Sequence, residues 1–172
     1  MISPIMGKAL NEQINAELYS AYLYLSMAAA LEDMGLPGFA SWTRTQNQEE
    51  TFHGMKFYDF IIERGGRVKL AAIESPPTEW KDVYTVFEEI LKHEQHVTSL
   101  INRLMDTAIE QKDHATNMFL QWFVTEQVEE EANVDEVLQQ LKLAKDSKGA
   151  LFMLDKQMGT RTFTPPTAEG GA

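Results

Sequence analysis

The chain has 172 residues, which suits one domain, and a second folded domain is not expected. Lysine and arginine total 15 against 26 aspartates and glutamates, so the formal net charge is −11, which argues against a nucleic-acid partner. The chain contains no cysteine. Any metal site must therefore use oxygen and nitrogen ligands, and a reducing cytoplasm is the expected location.

No part of the sequence resembles a targeting or membrane segment. The first residues lack a basic stretch followed by an apolar run. No later stretch approaches the about 18 consecutive apolar residues that a membrane span needs. We therefore predict a soluble protein without a membrane partner.

Glycine and proline divide the sequence into long windows with helical periodicity. Ser3 and Pro4 predict the start of the first helix, and Gly65-Gly66 predicts the end of the second. The predicted helices run from about 4 to 33, from Pro37 to about 64, from about 80 to 111, and from about 114 to 144. The fold class is therefore all-α, with two helical hairpins.

The connection between the second and third helices is long and contains Pro76-Pro77. About 14 extended residues, at about 3.3 Å each, span roughly the length of a 30-residue helix. We therefore predict that this crossover traverses the bundle and makes the second and third helices parallel. The whole chain, 1–172, is predicted to form one domain. It comprises a bundle over about 4–145, a short fifth helix over about 147–158 and a frayed tail over 159–172.

One acid interrupts the apolar stripe of each predicted bundle helix. These acids are Glu17, Glu50, Glu94 and Glu130, each near the middle of its helix, and His53 follows Glu50 by three residues on the same face. A buried carboxylate without a partner costs several kcal/mol, and four that converge repel one another. Divalent cations would resolve this conflict, so the pattern predicts a two-metal site inside the bundle.

Two alternatives remain open at this point. A single glutamate in an apolar stripe often lies at the rim of a core, and a single Glu-x-x-His is often incidental. The acids from Glu126 to Glu131 suit a solvated helix face as well as they suit a further cation bound with Glu49. Trp122 and its aromatic neighbours are most simply core residues.

Four segments give the chain a resemblance to the non-haem ferritins of bacteria, over roughly residues 5 to 145. They are Asn11-Glu-Gln-Ile-Asn-Ala-Glu17, Gln48-Glu-Glu-Thr-Phe-His53, His93-Glu94 and Phe119-Leu-Gln-Trp-Phe-Val-Thr-Glu-Gln-Val-Glu-Glu130. The resemblance implies a ferritin-like four-helix bundle. It also implies a hollow cage of 24 subunits with octahedral symmetry, in which the short fifth helix lies near the four-fold axis.

The resemblance also implies roles for the buried acids. Glu17 and His53 would bind one iron, Glu94 and Glu130 a second, and Glu50 would bridge the two. The remaining roles implied by the resemblance are Gln127 beside the second iron, Tyr24 hydrogen-bonded near the centre, Trp122 as an electron donor, and Glu49, Glu126 and Glu129, sharing Glu130, as a third iron site.

The implied function is that of a ferroxidase, which oxidises Fe(II) with oxygen and stores the ferric product. Haem is not expected, because bacterioferritins carry a histidine where Glu130 stands and a haem-binding methionine where Thr51 stands. Animal ferritins carry pore acids at the positions of Asn117 and Leu120, so the iron entry route stays open. The alternatives are a di-iron oxidase acting on an organic substrate and a metal-free structural or DNA-protecting shell, although neither end has the basic tail usual in DNA-binding shells.

Overall fold

Five helices make up the structure, a computed structural model that describes residues 1–165. Their bounds are α1 Pro4–Asp33, α2 Pro37–Glu63, α3 Val83–Glu110, α4 His114–Ala144 and α5 Lys148–Met158. The predicted all-α architecture, with four long helices and a short fifth one, is confirmed, and no strand occurs among residues 1–165. Within that same range, no helix is both long and apolar enough to span a membrane.

Local signals fix the helix ends. Ser3 caps α1 by accepting a hydrogen bond from the amide of Met6 at 3.1 Å, and Pro4 occupies the first turn. At the other end Gly35 adopts a φ of 75°, which lets the amide of Leu36 bond back to the carbonyl of Leu31 at 3.0 Å. Gly65, with a φ of 69°, ends α2 in the same way.

Helix α3 begins three residues later than its apolar period suggests. The Asp82 side chain accepts a hydrogen bond from the amide of Thr85 at 2.8 Å, which makes Asp82 the N-cap and places Val83 at the first helical position. Trp80 therefore lies outside the helix, where it packs partly buried against the core.

The crossover of residues 64–82 has no helix or strand and runs along α1. Three α1 side chains hold it in chain order. Asn11 accepts from the amide of Lys69, Asn15 donates to the carbonyl of Ala72 and Ser26 donates to that of Pro77. The crossover thus advances from the start of α1 towards its end, so α2 and α3 run parallel, as the length of the connection predicts.

The core consists of two apolar clusters separated by a polar layer. One cluster surrounds Tyr24, Phe39 and Phe87, and the other surrounds Leu10 and Phe57. Between them each long helix contributes buried polar side chains instead of apolar ones: Gln13, Glu17, Gln46, Glu50, His53, Glu94, Gln127 and Glu130. The fold therefore places a polar layer at the middle of the bundle.

Helix α5 docks on the first turn of α2. The Asp155 carboxylate accepts from the amides of Gly38 at 2.8 Å and Phe39 at 3.0 Å, which are unpaired donors of the helix start. Beyond α5, Arg161 and Phe163 pack against α2, and the frayed tail predicted for 159–172 stays a prediction. The rest of that predicted tail, residues 166–172, lies outside the described residues.

We expect Gly38→Ala to detach α5 from the bundle. A Cβ at this position would lie 1.6 Å from the carbonyl oxygen of Asp155, so the two helices cannot keep their approach. Overpacking of this kind costs about 1–3 kcal/mol. Amide hydrogen exchange of residues 148–158 measures the effect, and Gly149→Ala is the matched control because its nearest side-chain neighbour is 3.9 Å away. Unchanged protection in Gly38→Ala would contradict this docking.

Candidate metal centre

All four acids predicted for the centre lie in the buried polar layer. Glu17 on α1 is 1% exposed, Glu50 on α2 is 2%, Glu94 on α3 is 0% and Glu130 on α4 is 2%. Each replaces an apolar residue of its helix stripe, so burial of that stripe carries the carboxylate inward with it. The alternative of rim residues that reach solvent is therefore wrong for these four.

Glu17, Glu50 and His53 form the tightest part of the layer. One ligand atom from each lies within 4.8 Å of the others, which is a spacing that can hold a metal ion. The Nδ1 atom of His53 is 3.5 Å from Glu50 Oε2, because residues three apart on a helix share a face. Two carboxylates and one imidazole are hard to intermediate donors that suit divalent first-row metals.

Neutral donors hold the other two carboxylates. The hydroxyl of Tyr24 donates to Glu94 Oε1 at 2.5 Å, and Gln127 donates to Glu94 Oε2 at 3.3 Å. Gln46 donates to Glu130 Oε2 at 2.8 Å. These donors orient the carboxylates without supplying positive charge, so a counter-charge is still required.

Three buried oxygens have no hydrogen-bond donor among residues 1–165: Glu17 Oε2, Glu50 Oε2 and Gln46 Oε1. A buried acceptor without a partner costs about 1–3 kcal/mol, so such groups are rare unless a ligand pairs with them. Two of these oxygens belong to the Glu17–Glu50–His53 group. The residues present therefore fit a divalent cation.

Burial and mutual repulsion raise the carboxyl pKa values of the centre. Burial, followed by the charge of Glu50, raises the pKa of Glu17 well above its usual range. Burial, followed by the charges of Glu94 and Glu130, does the same for Glu50. Burial raises the pKa of Glu130 to about 8, with the Glu94 charge as the next cause. The carboxylates therefore need bound cations to ionise together near neutral pH.

The outer acids are placed differently. Glu126 is partly buried and its Oε1 lies 3.9 Å from His53 Nε2, so it adjoins the centre. Glu129 is exposed, and the carboxylate of Glu49 accepts a hydrogen bond from Arg161 at 2.6 Å. The structure does not gather these three into a close ligand group, in contrast to Glu17, Glu50 and His53.

Trp122 packs partly buried against the core and also lies against the centre. Its ring packs edge-on against that of His53, with the centroids 5.4 Å apart, and the ammonium of Lys56 lies 4.2 Å from its centroid. Trp122 therefore has direct contact with one candidate ligand and with a cation.

Two residues of the polar layer were not predicted from the sequence to be site residues. Gln13 donates to Glu17 Oε1 at 2.8 Å, and Gln46 holds Glu130. Each lies four residues before a predicted ligand on the same helix, a spacing that places both side chains on one face. That spacing was the available signal, whereas the partner of Gln46 lies on another helix and is not visible in sequence.

Comparisons with known proteins agree with this architecture. A family model described as a ferritin-like domain matches residues 7–144. The chain is 45% identical over 161 residues to the bacterial non-haem ferritin of Bacteroides fragilis, covering 94% of this chain and 100% of that one. Its identity to the corresponding Staphylococcus saprophyticus protein is 40% over 163 residues, covering 95% and 98%. An open-pore ferritin from the hyperthermophilic archaeon Archaeoglobus fulgidus has a TM-score of 0.93 and 52% identity, covering 94% of this chain and 100% of that chain.

We expect the stability of the chelator-treated protein to fall as pH rises through about 8. Unfolded glutamates ionise near a pKa of about 4.3, whereas folded Glu130 ionises at about 8. The folded state binds more protons between these values, so this contribution is full below pH 4 and is lost above 8. Melting temperatures at pH 6 and pH 9, with chelator and with Zn(II), measure this loss of stability. Zn(II) favours the ionised carboxylates and should reduce the fall.

Glu130→Gln should weaken this pH dependence, because the amide does not titrate while Glu17 and Glu50 keep raised pKa values. Glu136→Gln, which changes an exposed residue of the same helix, is the control. Its melting temperature should fall with pH along the wild-type slope. Equal slopes in all three proteins would show that Glu130 does not titrate in this range.

Proposed function

Because this chain belongs to the family of ferritin-like domains, we propose that it stores iron in the cytoplasm by oxidising Fe(II) with oxygen and depositing the ferric product inside a hollow cage. The observation that carries the proposal is the buried Glu17–Glu50–His53 group, whose unpaired oxygens lie in the middle of the bundle. The names of the relatives support storage, since they are bacterial non-haem ferritins.

In this proposal Glu17 and His53 bind one ferrous ion, Glu94 and Glu130 bind a second, and Glu50 bridges them. The burial of all five side chains supports the assignment, as does the rise in the pKa of Glu50, which burial and then the charges of Glu94 and Glu130 cause. Gln127 adjoins the second position through its hydrogen bond to Glu94. Anionic oxygen ligands favour Fe(III) over Fe(II), so the chain's own donors promote the oxidation.

Two ferrous ions supply the electrons that reduce dioxygen to peroxide. Each ferrous ion gives up one electron, and a dioxygen molecule that accepts two electrons and two protons leaves as hydrogen peroxide. Water that hydrolyses at the ferric product releases protons, of which two go to the peroxide and the rest to solvent. In this proposal Trp122, packed on His53, supplies a further electron where dioxygen is reduced beyond peroxide, and Tyr24 orients Glu94 through its hydroxyl hydrogen bond.

Glu49, Glu126 and Glu129, sharing Glu130, are proposed as a third iron site next to this centre. The 3.9 Å approach of Glu126 to His53 supports continuity between the two sites. The charge of Glu49 contributes to the raised pKa values of both Glu126 and Glu130, which places these acids within electrostatic reach of one another.

One observation favours a second candidate, a di-iron oxidase acting on an organic substrate. A groove of about 320 Å³ between α3 and α4 has Gln127 and Glu131 in its wall, so a small molecule there would lie beside the centre. A small oligomer without a mineral core would favour this candidate over storage.

We expect Glu17→Ala and His53→Ala to slow Fe(II) oxidation by at least roughly tenfold, the loss that even outer partners of a metal ligand cause. Stopped-flow absorbance of the ferric product under air measures the rate. Glu12→Ala, which removes an exposed acid from the same helix, is the matched control and should oxidise iron at the wild-type rate. Wild-type rates in both ligand variants would refute the ligand assignment.

We expect the native mass to equal that of 24 chains, and electron microscopy after aerobic iron loading to show dense cores in hollow shells. Images of the unloaded cage would also distinguish a closed octahedral shell from an open-pore shell like that of the Archaeoglobus fulgidus relative. A protein that remains a dimer and forms no core would contradict storage.

A further inference from the structure

Arg161 forms an ion pair with one acid of the proposed third iron site. Its Nη2 donates to Glu49 Oε2 at 2.6 Å, and the two side chains are 22% and 13% exposed. By contrast, the ion pair between Arg44 and Glu32, at 3.2 Å, is 58% and 44% exposed. Screening by water is weaker for the first pair, so its charge-assisted hydrogen bond is the stronger of the two.

The segment that carries Arg161 is fixed along one stripe of α2. Trp42, Thr45, Glu49 and Phe52 follow one another at spacings of three or four residues on that stripe. The guanidinium lies 4.8 Å from the Trp42 ring centroid, Thr45 donates to the Arg161 carbonyl at 3.5 Å, and Phe163 packs 5.7 Å from Phe52. These contacts aim the guanidinium at Glu49.

The position of α5 keeps this segment in place. Asp155 is 4% exposed and bonds two amides at the start of α2, only a few residues before Arg161. Gly159 follows α5 and lies close to Gly38, with a Cβ at Gly159 meeting the Gly38 Cα at 3.3 Å. The guanidinium is therefore held by its own contacts and by the docking of a whole helix.

The charge of Arg161 reaches beyond Glu49. It opposes the rise in the pKa of Glu130, the carboxylate that the third site would share with the inner centre. On the other side of the cluster, the charge of Lys56 opposes the rise in the pKa of Glu126. The outer acids thus have protein cations beside them, whereas the inner group has unpaired oxygens.

We propose that the Arg161 guanidinium is a built-in cation that takes the place of a third ferrous ion at Glu49, so that iron binds there only by displacing it. This inference rests on the proposed function, and it makes the tail after α5 a determinant of how many ions each subunit binds. A third ion must break a partly buried Arg–carboxylate hydrogen bond, while the inner group offers oxygens of Glu17 and Glu50 that have no donor. The third ion is therefore weak in the wild-type chain, and its binding releases residues 160–163 from α2.

The test compares metal binding by assembled, full-length variants, using anaerobic Fe(II) calorimetry and Zn(II) equilibrium dialysis. Arg161→Gln should bind a third ion roughly tenfold to a hundredfold more tightly than the wild type, the gain expected when a charged hydrogen bond no longer competes. Arg161→Lys keeps the charge and should stay close to the wild type. Adding Glu49→Gln to Arg161→Gln should abolish the gain.

Arg44→Gln is the matched control, because it also removes one arginine charge but breaks the exposed ion pair with Glu32 instead. It should bind metal as the wild type does. A merely structural tail contact would lower the melting temperature of Arg161→Gln without changing the third-ion affinity. That result would overturn the inference, provided that the binding of the first two ions per subunit, the two-ion phase of the titration, is unchanged.

Amide exchange of the wild-type protein gives a readout that needs no variant. Residues 160–163 should lose protection when Zn(II) rises beyond two ions per subunit, and unchanged protection at a bound third ion would also overturn the inference. Absence of the two-ion phase from every protein would refute the proposed function instead, so the two failures are distinguishable.

Discussion

Four carboxylates share one buried layer with an imidazole. The repulsion among the carboxylates is the constraint on which the rest of the structure depends. Each ionised carboxylate in such a layer needs either a proton or a cation. The donors that the helices provide, Tyr24, Gln46 and Gln127, are neutral, and they orient the acids without neutralising them. The bundle is thus stable around protonated acids or around bound cations, and proton release and metal uptake are linked.

Rigid surroundings hold this unfavourable layer in position. Apolar clusters lie on both sides of it, with Phe87 in one and Phe57 in the other, so the four helices cannot separate locally to hydrate the acids. The crossover of residues 64–82, bonded to α1 at three points, sets the parallel direction of α2 and α3. That topology brings the midpoints of all four helices to one level.

The inner and outer acids differ in whether the protein itself provides a cationic partner. Inner oxygens of Glu17 and Glu50 are left without donors, whereas Glu49 has the guanidinium of Arg161. A guanidinium and a divalent ion are alternative partners for the same carboxylate, so the order in which sites fill follows from which acids already have a cation. Helix α5 contributes to this order, since its docking through Asp155 positions the segment that carries Arg161.

The sequence by itself determined the helices, the crossover and the four central acids, because helical periodicity and glycine or proline breaks are local signals. It also placed Glu50 and His53 on one face. Only the tertiary structure decided what crosses between elements: Gln46 on α2 bonds Glu130 on α4, Asp155 caps α2, and Arg161 reaches Glu49. Those partners lie far apart in the chain, and no local period encodes which side chains meet when separate helices pack.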